Sequence, residues 1–504
     1  MGVSLIAWQD LDQSNNRVIF VKDTETGTIW RYIQNVNTHS SGLNELMKGI
    51  LANGGKLKLK AGLYRTSETI TLPNNVELEG EGALSAIQLD PDVPAFTPVI
   101  SIPSNYCKVR NLLIDGNKAN QSNSPQNGIN IGGEFNEVSD NIIVNLTGVG
   151  VNVLGSNAIQ NIVRDNLIMN NEQDGIKVSN DAVQTTIEGN ILVSDGYNGV
   201  ALTEVATDNA IVGNLMINIA QDGILLNNGP TDNTITGNVI LAAGLNNPAN
   251  PYQGININTD SGQPASERNI ISNNVIMMSA THGILISGEN YITITGNTVI
   301  SSQQDGIKLQ SAYYCVVSGN VLKQNGQQTN NTYYDIELNG SAFNLVFGNI
   351  LNAPNGSSGP STAYGVAETN YSNYNKIFMN NCNGQIQGSV LLIGGNSMQK
   401  YNYYYSTPSI SANPPVSGTI YQNTNPFDII LMIPVYASTS GTAGSVAIYL
   451  GSSSPPSQVG TKYVNGATSS SATDFIELHI PAGWYYELTL SGATLGTATI
   501  IPVI

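Results

Sequence analysis

The chain has 504 residues, only 11% of them charged, with 51 glycines and a formal net charge of −17. That length exceeds one ordinary compact core but suits a quasi-one-dimensional stack, and the glycine-rich, weakly charged composition favours strands and turns over helices. The acidic balance argues against nucleic acid or an anionic membrane as partner, and no apolar run reaches bilayer-spanning length, so no membrane insertion is expected.

The first ten residues lack a basic region followed by an apolar run, which reads as no secretory signal. Val18–Val21 and Thr28–Tyr32 flank the turn-forming Asp23–Gly27, predicting a hairpin. Residues 1–40 are expected to form a small head or attachment segment. In Ser41–Leu51 the residues Leu43, Leu46, Met47 and Ile50 recur at helical spacing. They predict a short amphipathic helix, capped by Ser41, that covers the end of the domain following it.

From about residue 41 to 400 one pattern repeats. Asn166, Asn190, Asn214 and Asn238 are 24 apart, and Asn274, Asn297 and Asn320 are 23 apart. A second series shares that period: Gly175-Ile176, Gly199-Val200, Gly223-Ile224, Gly254-Ile255, Gly283-Ile284 and Gly306-Ile307. Two motifs on one period of about two dozen residues mark a solenoid. Each glycine opens a run that alternates apolar and variable, as in Ile176-Lys177-Val178, which is the pattern of a half-buried strand. Stacked coils of two or three such strands make an all-β parallel β-helix, with the recurrent Asn as an internal hydrogen-bonded ladder. The repeat lengthens at Asn246–Tyr252, Asp260–Pro264, Asn325–Tyr334 and Asn352–Thr362, which are expected to project as loops. Beyond Pro408, Pro414 and Pro415 short strands between Gly, Ser and Pro turns predict a C-terminal β-sandwich over 411–504.

These repeats, with Gly54-Gly55-Lys56-Leu57, Ala61-Gly62-Leu63-Tyr64 and Val76–Gly82 at their start, resemble the pectate-lyase-like right-handed parallel β-helix superfamily over roughly residues 42–390. The resemblance implies the fold. It leaves activity open among lyases, glycosidases, epimerases and non-catalytic adhesins. The stretches Gly418–Pro426 and Pro481–Tyr486 resemble C-terminal modules of viral surface proteins, archaeal viruses included. Head, β-helix and C-terminal module together are similar to a viral tailspike. That likeness implies a location on the virion surface, host cell-surface glycans or glycoproteins as partners, other virion proteins bound through the N-terminal segment, and a homotrimer. Three readings follow from different classes: a glycan-binding attachment protein, an endo-acting polysaccharide hydrolase, or a structural spike presenting the C-terminal module.

Candidate chemistry sits in the column preceding the repeated glycine, which reads Asp174, Asn198, Asp222, Gln253, His282, Asp305. Equivalent residues of successive coils lie about 4.8 Å apart. Asp174 and Asp222, two coils apart, are placed like the acid and base of an inverting glycosidase, with Asn198 between them to orient water or a sugar hydroxyl. His282 and Asp305, one coil apart, are placed as a base and the carboxylate that orients it. Asn198, Gln253, Tyr197, Tyr252 and Lys308 are the candidate substrate contacts, the tyrosines offering a ring face and a hydroxyl to a sugar. The plain alternative is that polar residues before glycine are turn formers. No cofactor and no metal are expected: Cys107, Cys315 and Cys382 read as buried thiols, and His39, His282 and His479 lack ligand spacing.

Overall fold

A computed structural model of the chain describes residues 3–11, 17–33, 38–245, 252–352, 361–405, 411–412, 416–422, 428–437, 444–464, 474–481, 483–491, 493–495 and 498–503. Parts of two expected loops, 246–251 and 353–360, lie outside the described residues.

Each coil supplies three short strands, exemplified by Thr186–Glu188, Ile191–Val193 and Val200–Thr203, here called rows a, b and c. Each pairs in parallel with its equivalent in the next coil: Thr186 with Ala210, Ile191 with Leu215, Val200 with Ile224. Row c is a sheet of 13 strands, while rows a and b belong to one 29-stranded sheet. Those two rows are joined through the long strand Lys108–Asp115, which pairs with the first strand of each. The result is the parallel β-helix expected from the repeat.

Its core is a set of columns. Val163, Ile187, Ile211, Ile235 and Ile271 stack inward from row a, and Ile168, Leu192, Met216, Ile240 and Ile276 from row b, all fully buried. Branched aliphatic side chains fit this packing because identical neighbours interdigitate one strand spacing apart. The chain turns at left-handed residues. In one coil Gln184, Gly189 and Ser194 mark the corners around rows a and b, with φ of 56°, 64° and 56°, and Asn180 and Asp181 mark the exit from row c, at 56° and 63°. Glycine adopts that conformation without a Cβ penalty, which is why Gly precedes Asn in the motif. Asp165 and Asn273 fill the same corner at φ 55°.

The Asn that follows points inward and solves the corner's hydrogen bonding. Asn190 donates its backbone N–H and its Nδ2 to Oδ1 of Asn214, at 2.9 and 3.0 Å, and a further Nδ2 bond goes to the carbonyl of Val163. The ladder runs from Asn141 through Asn166, Asn190, Asn214, Asn238, Asn274, Asn297, Asn320, Asn349 and Asn380 to Asn402.

At the N-terminal end the strands of the expected head segment join the edge of the solenoid. β1 (Val3–Leu11) pairs antiparallel with β2 (Arg17–Asp23) and parallel with β4 (Gly55–Leu59), the first strand of the solenoid proper. β3 (Ile29–Ile33) completes the predicted hairpin with β2. Leu5, Ala7, Ile19 and Val21 enter the same core as the coils, so these strands close an edge that would otherwise be unpaired. α1 (Leu43–Lys48) buries Leu43, Leu46 and Met47 on that core, as expected of a cap. Ser41 is not its capping residue: Gly42 occupies that position in a left-handed conformation, and the Ser41 hydroxyl bonds the Arg65 carbonyl. The hydroxyl of Ser40 accepts the Asn44 N–H and that of Thr38 accepts the Gly42 N–H.

In the C-terminal region Asp428–Ala437 pairs antiparallel with Asp474–Ile480 and Ala498–Val503, and Gly444–Gly451 pairs with Ser457–Val464 and Tyr485–Ser491. Leu431, Ile433, Ile476 and Ile480 of one sheet share a core with Val446 and Leu488 of the other, which makes the region a β-sandwich.

Replacing Asn214 by Leu strands the Asn190 donors and the Val212 and Ile187 carbonyls that Asn214 serves. The expected loss is about 3 kcal/mol, since each orphaned buried group costs about 1–3 kcal/mol, read as a lower midpoint in denaturant. At the equivalent corner of the next coil, Gly237 (φ 67°) should tolerate Asn far better than Val, by the same measurement.

Candidate functional site

The outward side of row c is where the chemistry-bearing column lies. The glycine after each member is fixed by close packing: a Cβ at Gly223 would meet Ile240 Cγ2 at 2.5 Å and the Gly254 carbonyl at 2.6 Å. The residue before it therefore occupies the same place in every coil. Asp174, Asn198, Asp222, Gln253, His282 and Asp305 are all nearly buried.

The structure brings Asp174, Asn198, Asp222 and Gln253 into one ladder. Asn198 donates its N–H and Nδ2 to Asp174 Oδ1 at 3.1 and 2.8 Å, and its own Oδ1 accepts the Asp222 N–H at 3.2 Å. Asp222 Oδ1 accepts the Gln253 N–H at 2.7 Å, and its Oδ2 accepts Nδ2 of Asn256 at 3.0 Å. Asn198 is thus committed to its neighbours rather than turned toward solvent. Burial pushes the Asp222 carboxyl up to about 6 against these hydrogen bonds, and it raises Asp174 too. Tyr197 and Tyr252 stand beside this group: burial, then the nearby Asp222 charge and Tyr197, raise the Tyr252 phenol. Tyr197 is 45% exposed.

A second group forms at His282 and Asp305. His282 Nδ1 lies 3.1 Å from Asp305 Oδ2, at ion-pair distance but off the line of a hydrogen bond. Asp305 Oδ1 accepts the Tyr334 N–H at 2.7 Å. Lys308 Nζ is 2.7 Å from Glu337 Oε2 and 4.0 Å from Asp305 Oδ2. Burial raises the Asp305 carboxyl, with His282 pulling the other way. Burial also acts to raise Glu337, but Lys308 and Thr369 outweigh it and leave this carboxyl below its usual range. Tyr334 and Tyr364 flank the group with ring centroids 6.5 Å apart. Asp222 and Asp305 are three coils apart, about 14 Å along the solenoid.

Asn256, Tyr334, Glu337 and Tyr364 join these groups without having been singled out as site residues. The available signal was the column two places after the repeated glycine, in which Asn256 and Glu337 are equivalent to Lys177 and Lys308. Other tyrosines serve elsewhere. Tyr291, Tyr314, Phe343 and Tyr374 stack ring on ring along a row a corner, with centroids 5.0–5.2 Å apart, so their faces cover one another. All three cysteines are buried and free.

Two protein families match parts of the chain: one described as "Right handed beta helix region" over residues 104–240, and one described as "Periplasmic copper-binding protein (NosD)" over 263–362. Among the described residues no three His, Cys, Asp or Glu side chains gather to hold a metal ion, so the copper in the second description has no fitting donor set here. No curated protein matches the sequence. Solved structures do match the fold. Tailspike protein 3 of bacteriophage CBA120 is 12% identical, with TM-score 0.55 over 80% of this chain and 69% of that one. The gene product 12 N-terminal fragment of bacteriophage Phi29 is 14% identical, with TM-score 0.59 over 72% and 68%. The A-module of the Azotobacter vinelandii mannuronan C-5 epimerase AlgE4 is 17% identical, with TM-score 0.52 over 72% and 95%. The chain is therefore a right-handed parallel β-helix, as the superfamily resemblance implied.

The buried carboxyls set a pH dependence. Between the ordinary Asp value of 3.8 and about 6, native Asp222 keeps a proton that the unfolded chain releases, so its contribution to stability falls as pH rises through that window. Asp335, fully buried and pushed up to about 7, acts in the same direction up to that higher pH. Asp222→Asn should flatten the stability-against-pH curve between pH 4 and 6 by on the order of 3 kcal/mol, measured by denaturant titration at each pH.

Proposed function

We propose that the chain is a tailspike-type attachment protein of a virus particle, which holds host cell-surface glycans along the outward side of row c. The observation that carries this reading is the ordered polar ladder from Asp174 to Gln253, with the His282–Asp305 pair further along the same column and the tyrosine pairs Tyr197/Tyr252 and Tyr334/Tyr364 beside them. The ladder holds this stretch of the sheet rigid, and the aromatic faces beside it are what a sugar ring stacks on. The fold shared with a phage tailspike supports the reading at the level of architecture.

Asp174 and Asp222 belong to this scaffold rather than to an acid–base pair, since Asn198 bridges them and both Asp222 oxygens are engaged. A second reading is favoured by one observation, the imidazole of His282 against Asp305 with Lys308 and Glu337 alongside. A carboxylate can hold His282 as a general base, and Lys308 can meet an anionic sugar or a developing charge. On that reading the bound polysaccharide is also cut, and His282 and Asp305 do it.

Purified protein incubated with envelope glycans of a host should retain them, and Tyr197→Ala with Tyr252→Ala should weaken retention about tenfold or more, as loss of an aromatic anchor does. New reducing ends, lost in His282→Gln while retention persists, would establish the hydrolase. Retention that survives the tyrosine changes but disappears on deletion of residues 411–504 would overturn the row c reading and leave the β-helix as a stalk.

A further inference from the structure

The corner at which the chain enters row a carries rings only in places. In the first coils its column reads Gly54, Asn75, Tyr106 and Phe135, all with left-handed backbone, at φ of 93°, 59°, 59° and 56°. Their register follows from the strands they precede, since Lys56 pairs with Glu77, Glu77 with Lys108 and Lys108 with Glu137. Tyr106 and Phe135 lie ring on ring, with centroids 5.0 Å apart and planes 6° from parallel. Further on, Tyr291 to Tyr374 carry such a stack through four coils. The first stack stops at Tyr106, because the two places before it hold a short amide and no side chain at all. The second face of Tyr106 therefore looks into a gap two rungs deep, about 10 Å, and the residue is 57% exposed.

That gap is a cleft of about 490 Å³, with Gly54 and Asn75 along its floor, Tyr106 at one end and Lys56, Glu77 and Lys108 on its rim. Its volume is that of a small-molecule site. A Cβ on Gly54 would lie 2.9 Å from the Asn75 Cβ, so a side chain there is crowded out and the floor stays bare. The two ammoniums are available to a ligand. Glu77 is held by Arg110 as well as by Lys56, at 2.5 and 3.0 Å, and Glu137 by Arg164 as well as by Lys108, at 2.6 and 3.0 Å. Lys56 also reaches Glu79, which Arg110 and Lys58 approach at 3.4 and 4.0 Å. Each carboxylate keeps a cation when its lysine turns away, and exposed pairs of this kind hold weakly. With Asp165 beside Arg164, the network counts five cations to four carboxylates, an excess of one positive charge on a chain of net charge −17.

We infer that this cleft binds an acidic pyranose, a sugar ring that carries one carboxylate. The ring lies on the open face of Tyr106 and extends its stack by one place, as the apolar face of a sugar does on an aromatic. The sugar carboxylate meets the Lys56 and Lys108 ammoniums, and the hydroxyls meet the Asn75 amide and the Glu77 carboxylate. A neutral sugar leaves the excess charge unused, and a flat acid without hydroxyls leaves the amide and the carboxylate unused. The cleft lies at the corner of row a, so the inference is independent of the glycan reading, which concerns row c.

The test is a saturation-transfer NMR titration of the full-length chain with methyl glucuronide, methyl glucoside and benzoate. The glucuronide should bind saturably, and the neutral glucoside about fivefold more weakly, as loss of an exposed charge pair predicts. Benzoate should also bind more weakly than the glucuronide. Tyr106→Phe should keep the glucuronide, while Tyr106→Asn should weaken it about tenfold with unchanged circular dichroism. Asn75 already shows that the left-handed corner accepts asparagine. Lys56→Gln with Lys108→Gln should bring the glucuronide down to the level of the glucoside. A glucuronide that does not saturate, a glucoside or benzoate that binds as tightly, or binding that survives Tyr106→Asn or the lysine changes would each overturn the inference. Tyr197→Ala with Tyr252→Ala should leave this binding unchanged. Its loss in that variant would move the sugar to row c, which overturns the inference and leaves the row c reading in place.

Discussion

Everything in this chain depends on one constraint: successive coils must sit one strand spacing apart along their whole perimeter, including at the corners where the backbone leaves its sheets. Strands satisfy their own N–H and C=O groups by pairing with the coil above and below. The corner residues pair in the same way, as Gly189 does with Val212, but the N–H of the Asn that follows has no carbonyl opposite, and an unpaired backbone group inside a protein is costly. The Asn ladder answers this by giving each corner a side-chain amide that donates to one coil and accepts from its neighbour. Once that spacing is set, every other column falls into register: the aliphatic stacks inside, the polar ladder on row c, the ring stacks at the row a corner. The functional surfaces are consequences of the corner chemistry.

This order of causes explains why the fold was legible in the sequence. A solenoid repeats its solution, so Asn166, Asn190, Asn214 and Asn238 announce it four times over. Periodic glycine before isoleucine reports the close approach of coils at Gly175, Gly223 and Gly254. The N-terminal strands were harder to place because they occur once. Nothing in Val18–Val21 says that its neighbour Val3–Leu11 will add to the solenoid's edge, since that edge becomes visible only in three dimensions. Ser41 failed as the cap for a related reason: Thr38 and Ser40 compete for the same orphan donors, and the chain path decides among them.

The candidate site was legible as a column and obscure as chemistry. Sequence spacing places Asp174, Asn198 and Asp222 in line, but only the structure shows Asn198 spending both its donors on Asp174. Tyr334 arrives beside Asp305 from an interrupted coil, where the irregular spacing hides its equivalence to earlier members of the column. Burial then alters what these groups can do. Asp222 is a carboxyl whose proton is held into mildly acidic conditions by desolvation, which composition alone would never reveal.

The ladder's indifference to distance along the chain has an evolutionary meaning. Consecutive members are 24 residues apart between Asn214 and Asn238 but 36 apart between Asn238 and Asn274, and the amide bond is 3.0 Å in the first case and 2.9 Å in the second. Extra residues inserted between two rungs leave the frame undisturbed, because lengthening a loop adds only a slowly growing closure entropy. Such a scaffold can exchange its projecting segments by recombination while its frame stays the same. The outer surface is then free to change quickly on a molecule whose interior hardly changes.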